Sequence, residues 1–68
     1  SDHKNFIKKL IKHKLEHIAS FFGLNPKMSY YAMNGITKDN EKSILETLSQ
    51  KTFDKGTFLK LHKQLSNT

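Results

Sequence analysis

The chain has 68 residues, with twelve lysines against six acidic side chains and neither cysteine nor arginine. This length predicts a single domain, 1–68, near the lower limit for an unaided hydrophobic core, with no room for a deep catalytic pocket inside a scaffold. The lack of cysteine excludes disulfides and thiolate metal sites. Apolar runs are short, so we expect neither a membrane-spanning helix nor a secretory signal region.

The charge balance favours a polyanionic partner. The formal net charge is +6, and the isoelectric point is about 9.7. Residues 1–22 and 51–68 each carry a local charge of +3, whereas residues 36–50 are slightly acidic. Such an excess favours nucleic acid or, less often, an anionic membrane surface. The alternative is that the lysines only keep a small protein soluble.

The first segment has the periodicity of an amphipathic helix. Its apolar side chains recur at spacings of three and four and share one face: Phe6, Ile7, Leu10, Ile11, Leu15, Ile18, Ala19 and Phe22. Asp2 or Asn5 can cap the start, and Gly23 can end the helix in the left-handed conformation. No glycine, proline or capping residue interrupts the pattern near His13–Lys14. One long helix and two shorter helices are both compatible with it.

A turn at Asn25-Pro26 is predicted to open a short second helix from Lys27 to Met33. Asn25 suits the N-cap, and Pro26 suits the first helical position because its missing N–H would be unbonded there anyway. The residue before a proline also avoids the α region, as an N-cap residue does. We expect Gly35 to end this helix in the left-handed conformation.

Two further helices complete the chain. The third is predicted to begin near Thr37 or Asp39, to run to about Gln50, and to bury an apolar face. The fourth is predicted to begin near Thr52 or Asp54. No stretch alternates with a period of two, so the predicted fold class is all-α, a compact bundle of four or five short helices.

The last helix carries an apolar stripe formed by Phe58, Leu61 and Leu65. We expect this stripe to close the core, and the alternative is a homodimer interface, since many DNA readers bind as two-fold dimers. Gly56 weakens the first turn by roughly 1 kcal/mol relative to alanine. Residues 65–68 are expected to form a disordered tail.

Seven residues in the middle of the chain form a pattern that is known from DNA-binding proteins: Ile18, Ala19, Gly23, Leu24, Asn25, Asn34 and Gly35. In these residues the chain resembles the lambda-repressor-like helix-turn-helix domains, which include the Cro and lac-repressor types. Those domains show an aliphatic-alanine pair, a glycine, an aliphatic residue, a Ser/Asn turn and an amphipathic recognition helix. The resemblance covers residues 14–50, and residues 40–50 resemble the helix that packs behind the motif.

The resemblance implies a transcriptional regulator, phage- or plasmid-like, that binds double-stranded DNA at the nucleoid in the cytoplasm without a cofactor or metal. A short helix opened by proline can lie in the major groove, and its free N–H groups favour a phosphate. The resemblance implies that four side chains face DNA, namely Lys27, Ser29, Tyr30 and Tyr31. It also implies that Asn34 lies near the DNA backbone. Lys12, Lys14 and Lys38 are expected to hold phosphates on either side, which would make binding salt-dependent.

The chain departs from the family pattern in three respects. The family buries two large aliphatic residues in its recognition helix, where Ser29 and Ala32 stand here; a shift by one residue would bury Met28 with Ala32 or Tyr31. No turn divides the first helical segment as it does in the family. Without arginine, the commonest bidentate contact to guanine is missing, so DNA shape would contribute to specificity. The alternative is a generic helical bundle in which Met28, Tyr30 and Tyr31 are packing residues.

Two smaller patterns allow a chemical interpretation. His13 and His17 match the His-x-x-Glu-His zinc pattern, but the other histidines stand near the termini, so we interpret this pair as solvent-facing. Tyr30 and Tyr31 among lysines are typical of side chains that stack on unpaired bases. Because neighbouring helical residues point about 100° apart, we expect one tyrosine in the core and the other exposed.

The sequence contains no acid–base pair, nucleophile constellation or phosphate-binding loop, so we expect neither enzymatic activity nor a small-molecule substrate. Two alternatives to the DNA reader follow from the composition. One is a basic helical interaction module or inhibitor that binds an acidic protein partner. The other is a domain of a replication or packaging protein that holds nucleic acid without reading its sequence.

Overall fold

The first helix, α1, runs without interruption from Asp2 to Phe21 in the computed structural model, which describes residues 2–67. The side chains of Asp2 and Asn5, the expected caps, lie outside the described part of the chain. Gly23 ends the helix with φ of 75°, as predicted. The Gly23 N–H donates to Ser20 and the Leu24 N–H to Ala19, at 3.0 and 2.8 Å, which is the Schellman arrangement of a glycine-terminated helix.

The middle segment, residues 26–35, is a succession of short helical pieces. A 3₁₀ turn spans Pro26–Met28, α2 spans Ser29–Ala32, and a second 3₁₀ turn spans Met33–Gly35. The predicted N-cap is confirmed, because the Asn25 side chain accepts a hydrogen bond of 3.0 Å from the Lys27 N–H. The continuous α-helix predicted from Lys27 to Met33 is wrong, since only one turn of this segment is α-helical.

Position 35 requires a glycine because of a close backbone contact, and not because of a left-handed conformation as predicted. Among the residues that the structure describes, only Gly23 has positive φ, so Gly35 is not a left-handed cap. A Cβ atom on Gly35 would instead lie 2.6 Å from the Cα of Leu65 and 2.9 Å from its carbonyl carbon. The backbone of the last helix comes so close that no side chain fits between the two segments.

The helix α3 spans Glu41–Leu48 and begins later than predicted. Asn40 holds the preceding turn with both ends of its amide. Its oxygen accepts from the Thr37 N–H at 2.7 Å, and its nitrogen donates to the Gly35 carbonyl at 2.7 Å. Residues 37–40 therefore form an ordered turn, because the Asn40 side chain satisfies backbone groups that a longer helix would have used.

The last helix, α4, spans Lys55–Ser66. Asp54 caps it, as predicted: its carboxylate accepts from the Thr57 N–H at 2.8 Å and from the Thr57 hydroxyl at 2.7 Å. The predicted disordered tail at 65–68 begins too early, because Leu65 is buried and Ser66 belongs to the helix. Asn67 is the C-cap residue, and Thr68 lies outside the described residues.

The core is formed by all four helices and the connection after α2. Phe58 is fully buried, with its ring centroid 6.0 Å from that of Phe22 and 6.3 Å from that of Phe53. The buried apolar side chains are Ile11, Leu15, Ala19, Ala32, Ile36, Ile44, Phe58 and Leu65. The all-α fold class is confirmed, and no strand occurs within residues 2–67.

The burial of Phe58 and Leu65 shows where the apolar stripe of α4 packs. Both side chains pack inside their own chain, and Leu61 is partly buried against the same core. The stripe on α4 therefore closes the core, as expected. None of the helices in residues 2–67 combines the length and the apolar composition that crossing a bilayer requires.

We expect Gly35→Ala to destabilise the fold by about 1–3 kcal/mol, because the added methyl group would overlap the Leu65 backbone. Gly56→Ala is the matched control. A Cβ there meets only Asp54, at 3.6 Å, and alanine should stabilise α4 by about 0.5–1 kcal/mol. Urea unfolding followed by circular dichroism measures both changes. Equal midpoints for the two variants would contradict the close contact.

A second prediction concerns acid. The backbone N–H of Thr57, and then its hydroxyl, hold the pKa of Asp54 below its ordinary value of 3.8. Because the folded state favours the carboxylate, this contribution to stability is present above 3.8 and is lost as the pH falls through the lower folded value. We expect Asp54→Asn, which keeps a capping oxygen, to remove this part of the pH dependence. Unfolding midpoints between about pH 6 and about pH 2 measure it; parallel curves for both proteins would refute the assignment.

Candidate nucleic-acid interface

The start of the middle segment faces solvent. Asn25, Pro26 and Lys27 are exposed, and none of the three residues in the first 3₁₀ turn is buried. Tyr30 and Tyr31 follow, with 67% and 64% of their surface exposed. The segment therefore presents one lysine and two aromatic side chains on its outer side.

Both tyrosines lie on the outside, which corrects the expectation that one of them is in the core. The inward positions are taken by Ser29 and Ala32, which are fully buried and stand three residues apart. Residues between two such positions point away from the core, because one helical turn separates the buried pair. The two tyrosine rings meet edge to face, with centroids 6.2 Å apart and planes at 84°.

Ser29 is not exposed to face DNA, contrary to what the resemblance implies. Its side chain is completely buried, and its hydroxyl donates a hydrogen bond of 2.9 Å to the Pro26 carbonyl. The small side chains of Ser29 and Ala32 let α2 contact both α1 and α4. Because these two side chains are small, the segment packs closely against both helices. The larger side chains of Tyr30 and Tyr31 lie on its outer side.

A shallow groove of about 350 Å³ connects the middle segment to α1. Lys12 and Glu16 of α1 form one side of it, and Lys27, Tyr30 and Tyr31 form the other. Ser29 also borders the groove, but its side chain is fully buried. The groove thus brings together two lysines, two aromatic rings and one carboxylate, which gives it a net positive charge. Such a combination can hold a phosphate and contact the edge or face of a base.

Glu16 is the member of this groove that the sequence reasoning missed. It stands four residues after Lys12, so the two side chains share one face of α1, and this spacing was the available signal. Its carboxylate lies 3.0 Å from Nδ1 of His13. A carboxylate beside two lysines can accept a hydrogen bond from an amino group of cytosine, while it repels a phosphate.

Three predicted contact residues lie outside the groove. Lys14 is exposed, and it stands two positions after Lys12, which places it roughly 200° further around α1. It therefore does not share a face with Lys12. Asn34 and Lys38 are exposed near the far end of the segment and do not line the groove.

His62 anchors the middle segment to α4, and the sequence reasoning gave it no role. Its Nε2 donates a hydrogen bond of 2.7 Å to the Met28 carbonyl, across 34 positions of sequence. The ring is partly buried, and its centroid lies 6.3 Å from that of Phe58. His62 stands four residues after Phe58, so its place on the inward face of α4 was readable from the helical period.

The histidine pair of α1, His13 and His17, lies at the surface. His13 contacts Glu16, and both His13 and His17 are exposed. Within the part of the chain that the structure describes, no three side chains of the His, Cys, Asp and Glu types are grouped closely enough to hold a metal ion.

We expect His62→Ala to destabilise the fold by about 1–3 kcal/mol, because it leaves the partly buried Met28 carbonyl without its donor. His62→Gln should recover part of this loss, since its amide can donate to the same carbonyl. Lys63→Ala, at the exposed neighbouring position, is the control. Chemical unfolding gives the three free energies; equal stability of His62→Ala and Lys63→Ala would contradict the anchoring role.

The comparisons with known proteins return no match to this chain among protein-family models, curated proteins or solved structures. The function proposed below therefore depends on the geometry and chemistry of the described residues.

Proposed function

We propose that this chain binds double-stranded DNA with the outer side of residues 25–35, as a helix-turn-helix transcriptional regulator does. One observation carries the proposal: Lys27, Tyr30 and Tyr31 are exposed together on a short helical segment, with Lys12 beside them on α1. The net charge of +6 supports a polyanionic partner. The term helix-turn-helix here refers to α1, the turn at Gly23 and the middle segment.

The dimensions of the segment suit a DNA groove. Its ten residues, Pro26–Gly35, span about 15–20 Å at the rise of α- and 3₁₀-helices. The major groove is about 12 Å wide and admits one helix. In this arrangement the tyrosines and Lys27 point into the major groove of the DNA, while Lys12 contacts a phosphate of the adjacent DNA strand.

Affinity in this proposal comes from lysine side chains and not from a helix dipole. α2 is a single α-helical turn, and the Lys27 N–H already donates to the Asn25 side chain. Few free backbone donors therefore remain for a phosphate. The chain has no arginine, and the Ser29 hydroxyl is already hydrogen-bonded. Recognition of base edges therefore depends on the phenol groups of the two tyrosines, on the lysines and on Glu16. We expect modest sequence discrimination, with DNA shape contributing to it.

A second candidate function is sequence-independent binding of single-stranded nucleic acid. The exposure of both tyrosine rings beside two lysines favours it, because aromatic faces stack on unpaired bases of any type. The near-perpendicular planes of the rings count against it. Successive stacked bases are parallel, so only one of the two rings can stack on such a pair without rearrangement. For this reason we place duplex binding first.

The test is a titration of duplex DNA and of one of its single strands at several salt concentrations. We expect the duplex to bind more tightly, with a steep dependence on salt. Lys12→Ala and Lys27→Ala should each lower the log–log slope by about 0.9, because each removes one phosphate contact. Tyr30→Ala should weaken binding at all salt concentrations and leave the slope unchanged.

Lys14→Ala is the matched control for Lys12→Ala, since it removes the same charge from the opposite side of the same helix. It should leave the slope nearly unchanged. Tighter binding of the single strand would favour the second candidate. Absence of binding to either nucleic acid at low salt, in a protein with unaltered helicity, would reject both functions.

A further inference from the structure

A second exposed surface lies on α1, away from the groove. Phe6, Leu10 and Phe21 are 62%, 36% and 84% exposed, although each is a large apolar side chain. At 100° per residue they share an arc of about 80° with Lys14 and His17. We call these five residues the outer face of α1. Phe6 and Leu10 lie one turn apart at one end of this face, and Phe21 lies at the other end. Exposed apolar side chains that continue into an apolar cleft are typical of a contact surface.

The outer face of α1 continues into a cleft at its C-terminal end. This cleft has a volume of about 440 Å³, and its principal lining side chains are His17, Ile18, Phe21, Phe22, Leu48 and Phe53. The Phe22 ring lies 6.0 Å from the buried Phe58, so it belongs to the edge of the core. The Phe21 ring touches Phe22 edge to face at 5.5 Å but leaves most of its own surface in water.

The outer face of α1 is separate from the surface proposed to bind DNA. Phe21 stands nine residues after Lys12, which places the two side chains roughly 180° apart around the helix. One straight duplex cannot contact both sides of α1 together. The outer face therefore needs a different occupant, and its role does not depend on the proposed function.

Charge indicates what that occupant is. Lys14 lies within the outer face, and none of the described lining residues of the cleft or members of the outer face is acidic. A second copy of this chain would bring lysine against lysine on a molecule of net charge +6. A partner with carboxylates around its apolar side chains would satisfy both features of the surface.

Length indicates the form of the partner. Phe6 and Phe21 are fifteen residues apart on one uninterrupted helix, a distance of about 22 Å. This matches about four turns of a second helix packed alongside α1. We propose that the outer face of α1 and its cleft bind an acidic amphipathic helix of a partner protein, with Phe21 as the principal apolar contact.

The experiment is a selection from a random peptide library, each member about 20 residues long to allow four to five helical turns. Wild-type chain serves as bait. We expect enriched peptides to be rich in Asp and Glu, with apolar residues spaced by three and four. Phe21→Ser should weaken their binding at least about tenfold, a loss of roughly 1.4 kcal/mol. Lys14→Glu should weaken it as well.

Tyr31→Ala is the control, because it removes a comparably exposed aromatic ring from the groove side. It should leave peptide binding unchanged. The proposal is overturned if no peptides are enriched, if they are basic, or if Phe21→Ser binds them equally well. Concentration-dependent dimers that disappear in Phe21→Ser would assign the face to a second copy instead. Loss of duplex binding in Phe21→Ser would assign it to nucleic acid, and a failed DNA titration alone would leave this inference standing.

Discussion

The close packing of the middle segment between α1 and α4 is the constraint on which the rest of the structure depends. Ser29 and Ala32 are small enough for α2 to lie against both helices, and Gly35 lets the Leu65 backbone approach without a side chain between them. His62 adds a hydrogen bond to Met28 from the same side. Steric fit and one long-range hydrogen bond thus hold a ten-residue segment that has little helical stability of its own.

This packing also decides what the protein presents to solvent. Since the inward positions of the segment hold small side chains, the two tyrosines and Lys27 are left on the outside, supported by a fixed backbone. A short segment held in this way can present side chains to a partner without an entropic cost of ordering them from a loose loop. α1 supplies the wall of the groove on one side and the outer face on the other. One helix thereby separates two surfaces of different chemistry.

Local signals in the sequence were sufficient for the boundaries of most elements. Gly23, Asn25-Pro26 and Asp54 act through backbone groups within five positions, so the chain's own order reveals where helices begin and end. The same logic failed at Asn34-Gly35, where a local cap was expected and a long-range contact is found. It failed again for Ser66, which was expected in a disordered tail and is helical because the core extends to the neighbouring Leu65.

The sequence by itself determined an all-α chain, its capping residues and the lysine excess, because helical periodicity, capping and charge are properties of neighbouring residues. Only the tertiary structure decided that Ser29 is buried while both tyrosines are exposed, and that Lys12 lines a groove that Lys14 does not reach. The reason is physical: which side of a short amphipathic segment turns inward depends on the space its neighbours leave. That space is set by contacts between residues far apart in the chain, such as Gly35 with Leu65.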